Sequence, residues 1–469
     1  MTRGILAYGS YVPYNRLQRS KISSTLGQGG GRGTRSVASY DEDTTSMGVE
    51  AARQAMSSSG AGNPGMLTFA TTVPAYLDKT NANTIHAALG LAPTVLTSDM
   101  IGGPRSASGA VIGAISSMAS SLVVASDIRT GMPGGADESN GGDAAVALLI
   151  GDDDDGPLLA QCIGGGFSAG EFLDRWRSPG DRSSKVWEER FGETAYLPHV
   201  ETAVEMALGA TGTSPEAVDK VILTGVHPRA VRASLKAIAV NPDKVVDDLS
   251  MEVGYTGAAH AWLLLANVLD TAEPGEVIMV VELSDGATVS LFRTTEALAS
   301  GRPSRSVRAQ IDAGNDSLEY AAFLTWRGEI VREPPRRPDP DRPAGPPSNR
   351  TADWKFAFVG TQCNQCGARH LPPARVCVKC RSVDDMTEVS LADSQATIAT
   401  YTVDRLAYSL APPVVAAVLD FDGGGRFTSE MTDVDAADVK IGNRVEMTFR
   451  RLYVADGVHN YFWKARPVV

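Results

Sequence analysis

The stretch CNQCGARHLPPARVCVKC, residues 363–380, decides how the C-terminal part of this chain folds. Its two C-x-x-C pairs, Cys363 with Cys366 and Cys377 with Cys380, sit on separate turns and can bring four thiolates to one tetrahedral cation. Gly367 directly after the first pair permits the tight turn that aims backbone N–H groups at sulfur. Four cysteines complete a structural shell, so the predicted cofactor is structural Zn2+, with no open position for catalysis. His370 lies between the pairs and is a further possible ligand. A redox dithiol needs only one pair, which argues against that use. The fifth cysteine, Cys162 in LLAQCIGGG, stands in a strand-like context and reads as a small buried hydrophobe.

Downstream of the cysteines the pattern alternates. ATIATYTV (396–403), VVAAVLDF (414–421), GRFTSEMTD (425–433), RVEMTFRRLYV (444–454) and HNYFWKARPV (459–468) read as short strands, enough for a small β-barrel. Upstream lies REPPRRPDPDRPAGPPSNR (332–350), too rich in proline for a helix or central strand. It is expected to be an extended linker, either free or packed as an ordered arm. Residues 302–330 read as a bridge with strand character around YAAFLTWRGEIV. From Gly4 to about Thr295, β-branched runs such as VILTG (221–225) and VIMVVEL (277–283) alternate with helical stretches such as SMGVEAARQAM (46–56) and PHVETAVEMAL (198–208). That is the pattern of an α/β domain.

With 469 residues the chain is long enough for two or three domains, and its 43% hydrophobic content suits a sizeable core. A formal net charge of −12 argues against nucleic-acid binding, which needs a basic surface. No apolar run approaches the ~18 residues of a membrane span, and the N-terminus, broken at once by Gly and Pro, does not read as a signal peptide. Four of five cysteines clustered as metal ligands fit a reducing cytoplasm better than a disulfide framework. The run Asp152 to Asp155 between glycines reads as a solvated turn, and GQGGGRG (27–33), lacking a Gly-Lys-Ser/Thr ending, as a flexible loop.

Residues 354–468 resemble the zinc-ribbon/OB-fold domain that accompanies thiolases and hydroxymethylglutaryl-CoA synthases, on the landmarks CNQCG, LPPARVCVKC, APPVVAAVLDF and KIGNRVEMTF. Residues 3–295 resemble hydroxymethylglutaryl-CoA synthase of the archaeal and bacterial type, within the thiolase superfamily. GILAYGSYVPYNRL (4–17), SYDEDTTSMGVEAARQA (39–55), FLDRWRSPGD (172–181), RFGETAYLPHVETAV (190–204) and VLDTAEPGEVIMV (268–280) carry that likeness. It implies an α/β thiolase-like fold of two pseudo-duplicated halves, each a five-stranded mixed sheet between helices, in a homodimer. It also implies coenzyme A thioesters as ligands. The expected domains are thiolase-like over 1–300, a bridge and linker over 301–350, a zinc ribbon over 351–385 and an OB-fold domain over 386–469.

In the family a cysteine at the N-terminus of a buried helix attacks an acyl thioester, helped by helix-end amides. Matching SDMIGGPRSASGAVIGAISS (98–117) to that element puts Pro104 where the cysteine belongs. The family's acid/base glutamate falls at about Thr72, after LTFATTV (67–73), and its asparagine becomes Tyr255 in VGYTGAA (253–259). His227, in TGVHPRAV (224–231), matches the family's His-Pro motif and is the inherited catalytic candidate. Ser106 and Ser108 lie past the oxyanion turn and read as packing residues; Arg105 is open to pairing with a phosphate or carboxylate, or to a surface role.

The resemblance thus implies an acyl-CoA-binding, acyltransferase-like protein without hydroxymethylglutaryl-CoA synthase activity. Two functional expectations follow. In the first the chain is a component of a heteromeric acyltransferase or thiolase complex whose partner supplies the cysteine. In the second it is a stand-alone enzyme that forms no acyl-enzyme and uses His227 for decarboxylation, retro-Claisen or aldol-type chemistry. A nucleic-acid module is disfavoured by the charge.

Overall fold

A computed structural model describes residues 2–59, 62–238, 240–336 and 340–468. They form two compact units: Met1–Ala38, Glu50–Ala82 and Ala92–Tyr320 make the first, and Ser39–Val49, Asn83–Leu91 and Ala321–Val469 the second.

The first unit is built on a nine-stranded mixed sheet. Its order runs Lys220–Gly225, Val277–Leu283, Gly286–Thr294, Ala160–Ala169, Arg3–Tyr11, Asp143–Asp152, Ser121–Ile128, Met66–Thr71, Leu96–Ile101. Arg3–Tyr11 pairs along its length with Asp143–Asp152, but touches Ala160–Ala169 only at Gly4–Gln161 and Ile5–Ala160. The sheet is therefore two halves joined at a narrow seam. The first half has the five strands expected. The second has four, and its fifth is reduced to a single bridge between Val221 and Val245.

Central strands such as Val277–Leu283 are buried throughout, which is why they read as unbroken apolar runs rather than alternating ones. Two helices fill the interior beside them. His260–Leu269 is apolar nearly all round, and Arg105–Ser116 turns Ala107, Ala110, Val111 and Ala114 inward. Each fully buried Val or Leu in this core contributes roughly 1.5–3 kcal/mol. Asp152 to Asp155 form the turn expected of them, with the Asp154 N–H donating to Asp152 Oδ1. Within 27–33 two glycines pack closely: a Cβ on Gly30 or Gly33 would meet the carbonyl of Arg19 or of Met251.

In the second unit, Val359–Cys363 lies between Arg369–His370 and Met386–Ser390 to make the ribbon's small sheet. The five predicted C-terminal strands all form, in the order Arg426–Glu430, Val414–Phe421, Ala396–Asp404, Arg444–Ala455, Val458–Pro467. Their alternation is literal: Val415, Ala417, Leu419 and Phe421 point inward between half-exposed neighbours. The ladder is not a closed barrel. Its edges meet at one bridge, Met431–Ala465.

Two expectations for the connecting region are corrected. YAAFLTW (320–326) is a helix, because Tyr320, Phe323 and Leu324 bury on one face at helical spacing. Within the proline-rich stretch Gly345–Arg350 is also helical; its prolines sit in the first turn, where the missing N–H has no partner to lose. Residues 337–339 of the expected linker lie outside the described residues.

The short acidic segment Ser39–Val49 is integral to this unit. Arg450, wholly buried, faces Glu42 at 2.7 Å and Asp41 at 3.6 Å and also pairs with Asp433. Lys464 meets Asp41 at 3.0 Å, while Asp43 is bonded to His459 at 2.9 Å and to the Tyr461 hydroxyl at 2.7 Å.

Candidate functional site

A cavity of about 480 Å³ in the first unit opens beside the N-terminus of Arg105–Ser116. Thr72, Gly103, Pro104, Asp174, Tyr196 and Asp285 are among its walls, and no cysteine is. Pro104 is the N-cap, with helical angles of φ −56° and ψ −34°, and its carbonyl accepts from the Ala107 N–H. The element that the sequence matched to a nucleophile-bearing helix therefore exists, and its partly positive end faces the cavity. Ser108 is turned away: its hydroxyl donates to the buried Glu282 carboxylate. Burial, opposed by that hydrogen bond, pushes Glu282 up to about 7. Arg105 ties loops together by donating to the carbonyls of Asp285 at 2.7 Å and Ser168 at 3.3 Å.

Thr72 lines the same cavity, bound down by Asp127. That wholly buried carboxylate accepts from the Thr72 N–H at 2.7 Å, the Thr72 hydroxyl at 2.9 Å, the Thr71 hydroxyl at 3.0 Å and the Ala258 N–H at 2.8 Å. Three arginines also reach the cavity. Arg175 makes a fork with Asp137, while Arg129 donates to the Thr72 hydroxyl at 3.3 Å and Arg177 to the Thr72 carbonyl.

Tyr255 is not one of the walls. Its ring packs 4.9 Å from that of His260 and 5.9 Å from the Arg129 guanidinium, and its buried hydroxyl has no hydrogen-bond partner among the described residues. Burial, reinforced by the charge of Glu282, raises this hydroxyl's pKa far above the ordinary value; burial also pushes His260 down to about 4, so that ring is neutral.

His227 stands just behind the cavity, next to the wall residue Val226. It caps the helix Pro228–Ala237: Nδ1 accepts from the Ala230 N–H at 3.1 Å. An accepting Nδ1 leaves the proton of the neutral ring on Nε2. That nitrogen is buried and has no hydrogen-bond partner among the described residues. Gly192 makes room for the ring, since a Cβ there would meet it at 2.6 Å. Nearby, Tyr196 and Asp174 share the cavity wall: burial, then the charge of Asp174, raises the Tyr196 pKa, while burial raises that of Asp174 with Tyr196 opposing it.

The structure thus brings Thr72 and Pro104 together on one cavity and sets His227 beside it. Sequence reasoning assigned no role to Arg129, Asp174, Arg177 or Tyr196. Asp174 and Arg177 lie in FLDRWRSPGD, and Tyr196 in RFGETAYLPHVETAV; Arg129 carried no signal at all.

The second site is the ribbon. The sulfurs of Cys363, Cys366, Cys377 and Cys380 all lie within 4.8 Å of one another, with 3.5 Å between Cys363 and Cys380 and between Cys366 and Cys377. Zinc held at 2.3 Å by four sulfurs requires edges of ~3.8 Å, so this donor set fits the ion. Backbone N–H groups of Cys380 and Lys379, each 3.4 Å from Cys377 Sγ, favour its thiolate and pull that thiol down to about 5. Gly367 has the left-handed backbone expected of it, at φ +70°. His370 is buried beside Cys377 and lies outside the four-sulfur set.

Comparison with known proteins agrees with both halves of this description. Residues 356–386 match the family described as ChsH2, rubredoxin-like zinc ribbon domain, and 388–450 the ChsH2, C-terminal OB-fold domain. Residues 208–292 match the C-terminal family of 3-oxoacyl-[acyl-carrier-protein] synthase III. Among curated proteins, hydroxymethylglutaryl-CoA synthase of Aeropyrum pernix is 28% identical over 345 residues, covering 70% of this chain and 95% of that protein. Among solved structures, PksG, an HMG-CoA synthase from Bacillus subtilis, superposes with a TM-score of 0.60 at 18% identity, over 70% of this chain and 89% of its own. An HMG-CoA synthase complexed with CoA gives 0.59 at 17%, over 69% of this chain and 90% of its own. Over about 70% of its length the chain is therefore similar to hydroxymethylglutaryl-CoA synthases and shares their fold, and it continues into segments that match the zinc-ribbon and OB-fold families.

Proposed function

We propose that this chain binds an acyl-CoA thioester and serves as a component of a heteromeric acyltransferase or thiolase complex, in which a thiolase-type partner supplies the nucleophilic cysteine. The observation that carries this reading is Pro104 at the cavity-facing end of the helix Arg105–Ser116, a residue with neither sulfur nor hydroxyl to take an acyl group, on a cavity whose described walls include no cysteine. Thr72 opposite is locked by Asp127 and offers no acid or base. The helix end itself remains able to orient a thioester carbonyl. Leu173, Trp187 and Phe191, which line an exposed apolar hollow, suit contact with another subunit, and the family likeness supports a homodimer. Hydroxymethylglutaryl-CoA synthase activity of the chain alone is not expected.

One observation favours the second reading, a stand-alone enzyme that forms no acyl-enzyme. His227 presents a buried Nε2 without a hydrogen-bond partner among the described residues, its ring 6.3 Å from that of Tyr196, an arrangement suited to donating a hydrogen bond to a bound thioester. The experiment that separates the two is His227→Ala, assayed alone and with whatever co-purifies from the native host, with melting curves to confirm folding. Delegated chemistry predicts an inactive pure chain and a change of a few-fold at most in the complex. Stand-alone catalysis predicts turnover by the pure chain and a loss of roughly 10²-fold or more, the size acid–base catalysis supplies.

A further inference from the structure

The sequence match puts Thr72 where the family has its acid/base glutamate, and the charged side chains that reach this threonine from the cavity wall are arginines. Arg129 and Arg177 both converge on Thr72, one on its hydroxyl and one on its carbonyl. Neither guanidinium has a carboxylate within hydrogen-bond distance among the described residues. Arg177, half-buried, makes that single hydrogen bond and has no carboxylate within ion-pair distance among the described residues. For Arg129 the nearest carboxylate oxygen is Asp127 Oδ2 at 4.0 Å, and Asp127 is already taken up by four shorter hydrogen bonds. The third arginine, Arg175, is spent on Asp137. Of the acidic wall residues, Asp181 pairs with Lys185 at 3.4 Å, and neither Asp174 nor Asp285 forms an ion pair with either arginine among the described residues. Burial, then the like charge of Arg129, lowers the pKa of Arg177 against the opposing charges of Asp127 and Asp181.

We propose that Arg129 and Arg177, with Thr72 between them, form a subsite for a carboxylate carried by the acyl group, so that the thioester bound in this cavity is that of a dicarboxylic acid. A guanidinium presents a planar fork that matches a carboxylate, and a desolvated arginine gains most from a charge-assisted partner. The face of Tyr255, 5.9 Å from Arg129, backs one guanidinium and leaves its nitrogens free for the ligand. The cavity is the one at the end of Arg105–Ser116 where the thioester carbonyl is placed under the proposed function, so this inference rests on that reading. It assigns the anion to the acyl end of the ligand, leaving the coenzyme's phosphates outside.

The test is calorimetric titration of the full chain with succinyl-CoA, butyryl-CoA and free coenzyme A, repeated with Arg177→Gln and Arg129→Gln. Melting curves exclude misfolding. The expected result is a preference of about 10-fold or more for succinyl-CoA over butyryl-CoA, in the range of hydrogen bonds to charged groups. Either substitution should bring that ratio close to one. Binding of all three compounds with no preference for succinyl-CoA overturns the carboxylate subsite while leaving acyl-CoA binding intact. An equal weakening of all three by Arg177→Gln also overturns it, because the arginine then serves the coenzyme's phosphates. No binding of any of the three by folded protein removes the proposed function together with this inference.

Discussion

Stripping the metal from this protein is expected to unfold the ribbon around residues 359–390 while the α/β unit stays folded. The ribbon's sheet is small: two of its three strands have five residues and the third has two. Its interior is made largely of sulfur and imidazole, with Cys363, Cys377 and His370 among its few buried side chains. Such a body cannot bury enough apolar surface to hold itself, so the metal's binding free energy is its folding free energy. Without the cation, four sulfurs packed within 4.8 Å of one another have nothing to hold them together. The measurement is hydrogen exchange before and after chelation, with zinc counted by elemental analysis at about one per chain, and on Cys366→Ser and Cys380→Ser. Fast exchange confined to the ribbon is expected in every metal-free sample. A zinc-free preparation with four titratable thiols and unchanged protection would contradict the account.

The second large effect belongs to Arg450. Replacing it with Met should destabilise the C-terminal unit by about 3–5 kcal/mol, the usual penalty for removing one partner of a buried ion pair. The arginine is wholly buried and is shared by Asp41, Glu42 and Asp433, so its loss leaves carboxylates without a counter-charge in a dry interior. Adding Glu42→Gln to Arg450→Met should recover part of the loss, since one stranded charge is then neutral. The same cluster sets an acid limit. Burial by itself pushes the Asp41 carboxyl up, but Lys464 and Arg450 outweigh it and hold the pKa below the ordinary value. Asp43 is likewise held low, against burial, by its hydrogen bond from His459 and the charge of Arg451. Carboxylates depressed on folding contribute stability that is fully present above their unfolded pKa of ~4 and is lost as pH falls through the folded value. Urea melts of wild type, single and double variants across pH 3–7 check both points. A cost below about 1 kcal/mol for Arg450→Met would show the pair to be weakly coupled.

Much of this architecture was legible because its signals are local. Two C-x-x-C pairs announce a metal site whatever surrounds them, and the buried strands show as apolar runs that no loop would carry. The corrections arose where one sequence supports two periods. YAAFLTW was read for strand character from its mix of aromatic and apolar residues, but the burial of Tyr320, Phe323 and Leu324 follows a helix. The acidic segment 39–43 was given no role of its own; its partners Arg450, His459 and Lys464 lie more than 400 residues away, and no local pattern announces them. The cavity was half visible. Position 104 is identified by the small-residue helix that follows, and His227 by its proline. Arg129 and Arg177, by contrast, acquire meaning only when the fold carries both to Thr72.

The central claim is that the chain takes up an acyl-CoA thioester without becoming acylated. It is tested by incubating the full-length protein with acetyl-CoA labelled in the acetyl group, measuring bound label by equilibrium dialysis, and then denaturing the protein for intact-mass analysis. The account predicts bound thioester that is released completely on denaturation, and a protein mass unchanged by the exposure. A covalent acetyl group mapped to residues 98–117, or the absence of any bound thioester, would contradict it.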